Sequence, residues 1–519
     1  GTDYDQLTAT GALTFNNTAA NPFTITLHGT PTGWSNTGNY SWNIISAASQ
    51  TGFNSGNFAV NLNNFGITSG NRTGTWTFTN PSGGNITLTY AAATPDYIWS
   101  GTSGDWSTGF TPTAPVTDKN LVFTGAGGTA TNNIGNGTLS SLNFITFNST
   151  ASSYTLAANA GSAGASGGTP LSVKGDIINN SASAQTINMA LALGGSSSGI
   201  IDTAAGNITI GGVISGTGVV TKNGNSTLTL SAANTYTGGV IVNAGTLVLS
   251  AANVHTGATA INGGTLSLTG NLSGGTAITT AGSGAFTQGA ASIISGTASL
   301  THNSSGTTIL AGANTYTGSS IISAGTLQIG AGGTTGSLST SSAITNNGTI
   351  VINRSNTVSQ GTDFANSITG TGNLTKSGSN TLVLGTNTYS GATTVNGGTL
   401  QLSGNISSSA LTIGNGGIVS IGTTSAVAKY NASSLTLQGG SGYAFTIGNV
   451  TSSVAGTDYD QLTATGALTF NNTAANPFTI YLNGTPTGWS NTGNYSWTII
   501  SAASQTGFSP GNLTLDFNN

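Results

Sequence analysis

A short motif that begins with Asn and ends in Gly-Thr-Leu occurs four times, and it constrains the fold more than any other feature. The copies begin at Asn234, Asn253, Asn314 and Asn387, and each Asn precedes the Gly of its Gly-Thr-Leu by eleven residues. Three copies begin Asn-Thr-Tyr, whereas the copy at Asn253 begins Asn-Val-His. Self-similarity at a period of roughly twenty residues is typical of architectures in which each repeat stacks on the next. The sequence therefore predicts a stacked repeat protein.

Each repeat contains short alternating segments that predict half-buried β-strands. In Thr-Leu-Thr-Leu at 227–230 the leucines share one face and the threonines the other. A β-branched run follows at 240–242, and turn-forming Asn, Gly and Ser separate the runs. Leu247 and Leu266 are 19 residues apart, so leucines should stack on leucines inside the protein and asparagines should form ladders at the corners. Because one coil cannot bury its own apolar face, we expect a parallel β-solenoid stabilised by neighbouring coils.

Two longer blocks carry a family resemblance. Residues 216–230 read G-T-G-V-V-T-K-N-G-N-S-T-L-T-L, and residues 370–384 read G-T-G-N-L-T-K-S-G-S-N-T-L-V-L. Each block is followed by the Asn…Gly-Thr-Leu motif, and together they resemble the passenger-associated β-strand repeat of bacterial autotransporter proteins. The resemblance extends over about residues 205–405. It implies a secreted, right-handed parallel β-helix displayed outside a Gram-negative type of cell, and it carries over no catalytic residue.

Composition narrows the class of protein further. Charged residues make up 3% of the chain, with a formal net charge of −4, against roughly 25% charged residues in typical soluble domains. This balance gives no basic surface for nucleic acid or anionic lipid. Good helix formers are scarce, and no stretch of about twenty apolar residues is present that would span a membrane as a helix. We therefore expect an ordered all-β protein with neither a nucleic-acid partner nor a membrane-spanning segment.

A second repeat of much longer period occupies the two ends of the sequence. Residues 456–508 repeat residues 1–53 without a gap, at an offset of 455 residues. The two copies are incomplete in complementary ways, which suggests one window of a longer tandem array. The alternative is that half-modules complete one another between chains, as in strand donation. The three differences are Tyr481 for Thr26, Asn483 for His28 and Thr498 for Asn43.

Changes in composition and residue pattern divide the chain into four predicted segments. The first contains Trp34, Trp42 and Trp76, which suit the core of a small sandwich, although wider solenoid coils are an alternative. No proline occurs from 171 to 476, as a long parallel ladder requires. About twenty residues per coil, with strands about 4.8 Å apart, predict a solenoid that rises on the order of 80 Å. The segments are a β-sandwich-like or capping module at 1–94, a Pro/Trp-rich junction at 95–120, the solenoid at 121–455 and a partial second copy of the first module at 456–519.

The Asp-Tyr-Asp sequence is a candidate metal site. It contains Asp3 and Asp5 in the first copy of the module, and Asp458 and Asp460 in the second. A calcium ion takes six to eight oxygen ligands, and no further acid lies nearby in the sequence. We therefore favour a capped turn over a calcium site.

The junction offers a candidate sugar-binding platform. Asp96 and Asp105 flank Trp99 and Trp106, and tryptophan rings beside acids are typical of sugar-stacking sites. Tryptophans buried at the junction are the alternative, which we favour because large aromatic rings dominate protein cores.

The remaining titratable residues are scattered. His28, His255 and His302 form no cluster in the sequence, and His255 stands where the other copies have Tyr, which predicts a stacked corner residue. Some parallel β-helices are polysaccharide lyases or hydrolases, which need clustered acidic or basic side chains. Between 121 and 455 the only carboxylates are those of Asp176, Asp202 and Asp363. We therefore predict no enzymatic activity, and no catalytic residue, cofactor or metal ion.

Two functions fit these features. The first is an extracellular structural protein, one unit of a fibre, filament, sheath or biofilm matrix built from end-to-end solenoids. The second is a surface-displayed adhesin that binds glycans or other cells. Repetition favours the fibre, because an adhesive tip needs only one copy, and low charge favours lateral association. The predicted partners are the chain itself, head to tail and laterally, and a cell-surface glycan, at an extracellular or cell-surface location.

Overall fold

A computed structural model of the chain consists almost entirely of β-strands. Among the described residues, one short α-helix, α1 (Trp106–Gly109), and 3₁₀ turns at Ser55–Asn57 and Pro510–Asn512 are the helical elements. None of the described helices has the length and hydropathy to cross a membrane. The all-β prediction is confirmed. The structure describes residues 6–18, 21–29, 40–65, 75–80, 84–91, 97–112, 114–194, 199–275, 277–365, 367–404, 406, 409–422, 427–451 and 454–517.

The strands belong to two compact units. The first unit comprises Gly1–Gly212 with Asn223–Leu228, and the second comprises Val213–Lys222 with Thr229–Asn519. Strands through Ile210 lie in the first unit and strands from Val240 onward lie in the second. Those of the first unit are β1 (Leu7–Thr14), β2 (Phe23–Gly29), β3 (Tyr40–Thr51), β4 (Phe58–Phe65), β5 (Thr75–Thr79), β6 (Asn85–Ala91), β7 (Tyr97–Trp99), β8 (Gly104–Asp105), β9 (Phe110–Thr111), β10 (Lys119–Phe123), β11 (Gly128–Asn132), β12 (Ser141–Phe147), β13 (Tyr154–Ala158), β14 (Leu171–Val173), β15 (Ile177–Asn179), β16 (Gln185–Ile187), β17 (Leu191–Leu193), β18 (Ile200–Asp202) and β19 (Ile208–Ile210).

Three strands occupy the stretch that the two units share, and twenty-five follow it. The shared stretch contains β20 (Ile214–Gly216), β21 (Val220–Asn223) and β22 (Thr227–Leu230). The strands that follow are β23 (Val240–Val242), β24 (Thr246–Leu249), β25 (Thr259–Ile261), β26 (Thr265–Leu268), β27 (Ile278–Gly282), β28 (Ala285–Gln288), β29 (Leu300–Leu310), β30 (Ser320–Ile329), β31 (Ile344–Asn346), β32 (Thr349–Ile352), β33 (Val358–Ser359), β34 (Ile368–Thr369), β35 (Asn373–Lys376), β36 (Thr381–Leu384), β37 (Thr393–Val395), β38 (Gly398–Leu402), β39 (Leu411–Ile413), β40 (Gly417–Ile421), β41 (Lys429–Ala432), β42 (Leu435–Gln438), β43 (Gly442–Thr446), β44 (Gln461–Asn471), β45 (Phe478–Asn483), β46 (Ile500–Thr506) and β47 (Leu513–Asp516).

The first unit begins with two small sheets around an aromatic core. A four-stranded sheet has the order β1-β3-β6-β5, in which β1 and β3 are parallel while β6 is antiparallel to both β3 and β5. A second sheet pairs β2 with β4 in parallel. Apolar side chains from both sheets form one buried cluster, as expected where two amphipathic sheets face each other. Its members are Ile45, Phe58, Phe78, Ile86 and Leu88.

The rest of the first unit is a stack of parallel strands. Leu121 lies beside Ile145, which lies beside Ile177 and then Ile201, in successive strands β10, β12, β15 and β18. All four side chains are buried. Each strand therefore buries its apolar face against neighbours above and below, as in a repeat protein.

Parallel strands also stack in the second unit, and they have the predicted spacing in the sequence. Strands β24 and β26 are parallel, and Leu247 lies beside Leu266. The leucines of the four Gly-Thr-Leu sequences (Leu247, Leu266, Leu327 and Leu400) are fully buried, which confirms the predicted 19-residue register and the inward direction of these side chains.

The C-terminal copy of the first module lies in the same parallel stack. Strand β44 pairs with β41 and β42, and β45 pairs with β43. Strand β46 then pairs with β44, and β47 with β45, again in parallel. This parallel pairing is consistent with the alternative of wider solenoid coils. The right-handed sense of the coils and the sandwich-like or capping role of the end modules remain predictions.

Candidate interaction surface

The Asn that begins the motif forms side-chain hydrogen bonds to backbone groups at a turn between strands. The Asn234 side-chain oxygen accepts a hydrogen bond from the Ile214 N–H at 2.8 Å, and its amide nitrogen donates to the Ala232 carbonyl at 2.9 Å. Asn314 and Asn387 make the equivalent pair of bonds. These bonds satisfy backbone groups that leave the strand ladder at the turn, which would otherwise be costly to bury. Asn is therefore needed at this position for the fold.

The aromatic residue two positions after the Asn fills the interior beside that corner. Tyr316 and Tyr389 are fully buried, and each phenol lies within 2.7 Å of a hydroxyl four residues later, that of Ser320 or Thr393. Burial raises the pKa of both phenols to about 12. His255 occupies the same position in its copy and is also buried, as the sequence predicted. The Asn and the aromatic residue of the motif are therefore internal, whereas Thr235 and Thr237 beside them are exposed.

The second Asp-Tyr-Asp sequence forms capped turns. Asp458 is buried, and its Oδ2 accepts the Val454 N–H at 2.6 Å. The two carboxylate oxygens of Asp460 accept the N–H groups of Ala428 and Thr446 at 2.8 and 2.9 Å. Burial raises the pKa of Asp460 to about 6. The geometry is that of the favoured interpretation, a cap for backbone N–H groups.

Several residues considered as site candidates lie outside the described part of the chain. These are Asp3, Asp5 and Asp96, and the side chain of His28. Within the described ranges, no group of three or more metal-ligating side chains comes together.

The junction tryptophans are internal. Trp99 and Trp106 are almost completely buried, and Trp99 Nε1 donates to the carbonyls of Gly101 and Thr102 at 3.1 Å each. Asp105, by contrast, is exposed. A sugar cannot stack on a buried ring, so the sugar platform is wrong at this position and the buried-junction interpretation is confirmed.

Exposed aromatic rings occur instead in the C-terminal module. The ring of Trp489 stacks on Tyr495, with centroids 4.9 Å apart, and Tyr495 stacks on Trp497 at 5.8 Å. Trp489 is 56% exposed. In the first module, the counterparts of the last two, Tyr40 and Trp42, also stack on each other, at 5.8 Å.

An interior column of side chains in the second unit extends into this module. Its successive residues lie side by side in parallel strands, and all but the last are buried. The last, Leu515, is 54% exposed, and Phe517 nearby in sequence is 70% exposed. The column consists of Leu382, Leu400, Val419, Tyr443, Ile480 and Leu515.

Comparison with known families identifies the repeats. The passenger-associated-transport-repeat family matches the chain at residues 220–249, 243–268, 300–329 and 374–402. Each match contains one of the four Asn…Gly-Thr-Leu motifs. These four stretches are autotransporter passenger-associated repeats. Neither the curated proteins nor the solved structures returned a match. Membership of this repeat family indicates a secreted or surface-exposed protein.

The three carboxylates between 121 and 455 are divided between the two units. Asp176 and Asp202 belong to the first unit. In the second unit, Asp363 forms an ion pair with Arg354 at 2.7 Å and also accepts the Ser359 N–H. These contacts fix the Asp363 carboxylate in a structural role.

Sequence reasoning missed two lysines inside the passenger coils. Lys222 and Lys376 are fully buried. Lys222 donates to the Ala244 carbonyl at 3.1 Å, and Lys376 donates to the Gly397 carbonyl at 2.9 Å. Burial lowers the pKa of Lys376 to about 8. The signal was present in the sequence, because both family-like blocks contain Thr-Lys followed two residues later by Gly.

Proposed function

We propose that this passenger protein is a structural unit of an extracellular fibre in which parallel coils stack end to end. The observation that carries the proposal is the parallel pairing of the described residues of 456–517 on the strands before them, so that the repeated module extends the stack of parallel strands. The almost identical sequence at 1–53 supports a head-to-tail contact, and contacts of that kind form open filaments when the rotation does not close.

Charge supports the same proposal. With 3% charged residues, the chain has little electrostatic repulsion to keep copies apart. The proposal includes no catalytic activity, no cofactor and no nucleic-acid partner. In this proposal the protein has a mechanical role. The buried Asn and aromatic residues of the motifs supply the rigidity that such a role needs.

The test is assembly of the purified chain. Sedimentation velocity across a series of protein concentrations, with electron microscopy of the same samples, should show unbranched filaments that grow with concentration. Their axial repeat should be set by the 455-residue unit, of which the solenoid contributes on the order of 80 Å. Monodisperse particles at every concentration would refute the fibre.

Trp489 favours a second candidate function, glycan binding by a surface adhesin. Its ring is more than half exposed beside two further aromatic rings, and exposed aromatic rings suit the apolar faces of sugars. A glycan array should then show binding that Trp489→Ala abolishes. The matched control is Val454→Ala, which removes another exposed apolar side chain of the same unit. Equal binding by both variants would exclude this surface.

A further inference from the structure

The corner between the two strands of each motif contains a pair of residues that differs among the four copies. The pair begins nine residues after the first Asn of the motif. It reads Asn-Gly at Asn262 and Asn396, Asn-Ala at Asn243 and Ser-Ala at Ser323. An Asn that precedes Gly reacts readily with its own backbone, because Gly has no Cβ to crowd the attacking nitrogen.

We propose that Asn396 is a self-modification site, at which the folded chain converts its own asparagine to aspartate and isoaspartate. The backbone nitrogen of Gly397 attacks Cγ of Asn396, the bond from Cγ to Nδ2 breaks, and ammonia leaves with the former N–H proton. Water then opens the five-membered imide at either of its carbonyls. One opening gives aspartate, and the other gives isoaspartate, in which the main chain runs through the former side-chain carbonyl. The only other reactant is water.

Both reacting groups are accessible at Asn396. The residue lies between β37 and β38 and is exposed. Among the described residues, neither the Asn396 side-chain amide nor the Gly397 N–H has a hydrogen-bond partner. The amide is therefore not tied down when it turns toward the backbone, and the attacking nitrogen gives up no hydrogen bond.

Two other pairs of identical sequence are held by hydrogen bonds. Asn262 Nδ2 donates to Asn243 Oδ1 at 3.0 Å, which ties this side chain to the preceding motif. In the pair Asn415-Gly416, the Gly416 N–H donates to the Gly440 carbonyl at 2.9 Å. Each of these bonds has to break before the imide can form, which slows the reaction. The structure thus separates Asn396 from pairs with the same sequence.

Lys376 adds an electrostatic reason. Its ammonium group donates to the Gly397 carbonyl at 2.9 Å, so a positive charge lies next to the residue whose nitrogen attacks. A nearby positive charge favours loss of the N–H proton. The product is favoured as well, because its new carboxylate forms one residue away from this contact and opposite charges attract. Each conversion adds a negative charge to a chain whose formal net charge is −4.

One tryptic peptide contains both the site and an internal control. Cleavage after Lys376 and Lys429 releases residues 377–429, in which Asn396 and Asn415 are the two Asn residues followed by Gly. We would incubate the purified folded chain at mildly alkaline pH, and then denature it, digest it and locate the mass increase by tandem mass spectrometry.

Asn396 should convert about five-fold faster than Asn415 or more, because the Gly416 N–H first has to leave its hydrogen bond. In the chain unfolded by urea, the two residues should convert at similar rates. An isoaspartyl methyltransferase with a labelled methyl donor should label the aged peptide and leave the fresh peptide unlabelled.

Gly397→Ala is the matched variant. Its counterpart Ala244 accepts a hydrogen bond from Lys222, as Gly397 does from Lys376, so this corner accommodates Ala. An added Cβ would lie 3.1 Å from the Ser377 carbonyl oxygen, and an unchanged thermal transition would show that the fold is kept. Conversion at Asn396 should then fall several-fold, while conversion at Asn415 stays the same.

The comparison with Asn415 needs no variant and decides the matter if Gly397→Ala does not fold. Equal rates at Asn396 and Asn415 in the folded chain, or no conversion at Asn396, overturn the proposal. Undiminished conversion at Asn396 in a folded Gly397→Ala chain also overturns it, because the imide route depends on Gly.

Discussion

The imidazole ring of His255 lies parallel to the phenol ring of Tyr236, with the ring centroids 5.3 Å apart and 7° between the planes. The two residues occupy the same position in motifs that begin 19 residues apart, so the period of the sequence becomes a stack of rings. His255 Nε2 also lies 2.8 Å from Thr259 Oγ1. Burial lowers the pKa of His255 from 6.5 to about 4. The imidazole is therefore neutral in the folded protein at neutral pH.

This lowered pKa predicts a loss of stability in acid that His255→Tyr removes. As the pH falls below 6.5, the unfolded chain binds a proton at His255 that the folded chain does not bind until about pH 4. The free energy of unfolding should therefore fall by up to about 3 kcal/mol across this interval. Tyr is the residue of the other copies, and Thr259 would offer it a hydroxyl as Thr393 does for Tyr389. Denaturant titrations at pH values across the interval should show a smaller acid loss in the variant, and an identical loss would contradict the assignment.

Asp460 should have the opposite dependence on pH. Burial raises its pKa from 3.8 to about 6, so the folded chain binds a proton here before the unfolded chain does. Its contribution raises the free energy of unfolding as the pH falls from above 6 toward 4, by up to about 3 kcal/mol. Asp460→Asn removes this term, although the single amide oxygen then accepts from only one of its two N–H partners.

The expected result for Asp460→Asn is a steeper loss of stability in acid, because the His255 term is then unopposed. The same titrations across the pH range measure it, with His255→Tyr/Asp460→Asn as the control that should lose less stability in acid than Asp460→Asn alone. A variant whose pH profile matches the wild type would show that Asp460 is ionised normally.

Tyr236 predicts a stabilising substitution. Its hydroxyl is buried and has no hydrogen-bond partner among the described residues, since Val240 stands where other copies have Ser or Thr. Val240→Thr supplies the missing hydroxyl at almost unchanged volume, and a satisfied hydrogen bond contributes about 1 kcal/mol. Thermal unfolding should shift upward. The control Val242→Thr buries a hydroxyl on the same strand and should lower the transition. A lower transition for both variants would mean that the hydroxyl introduced by Val240→Thr does not reach the phenol.

The repeated part of the fold can be predicted from the sequence because the contacts that stabilise it recur at a fixed spacing. Leu247 and Leu266 are 19 residues apart and lie side by side in parallel strands, and the alternation of apolar and polar residues sets which side chains are inside. The Asn corners and the stacked His255 follow from the same period. Sequence reasoning missed that Lys222 and Lys376 lie inside, because a buried lysine depends on carbonyls that only the folded corner brings together, and the shared Thr-Lys-x-Gly sequence was the one sign of it.

The end modules show where sequence reasoning stops. Residues 40–44 and 495–499 are nearly identical, yet only the first segment is a strand. Its pairing depends on β6, which lies more than forty residues later in the chain, and β-pairing of this kind is decided by the partner rather than by propensity. By contrast, the favoured prediction that Trp99 and Trp106 are buried is confirmed, while the exposed ring of Trp489 was not foreseen.

The register of the whole repeat can be tested at Leu247. This side chain is fully buried between coils and contacts Leu266 of the next strand in register. Leu247→Asp would place a carboxylate there with no polar partner of its own, and burial of an unpaired charge should lower the free energy of unfolding by several kcal/mol.

The control is Val248→Asp, one residue along β24, where the side chain is on the partly exposed face. Because successive side chains of a strand point to opposite faces, the control should lower stability far less. Thermal and denaturant unfolding of the two variants measures the difference. Equal effects would mean that the strand is placed one residue out of register, and with it the inward direction of the Gly-Thr-Leu leucines.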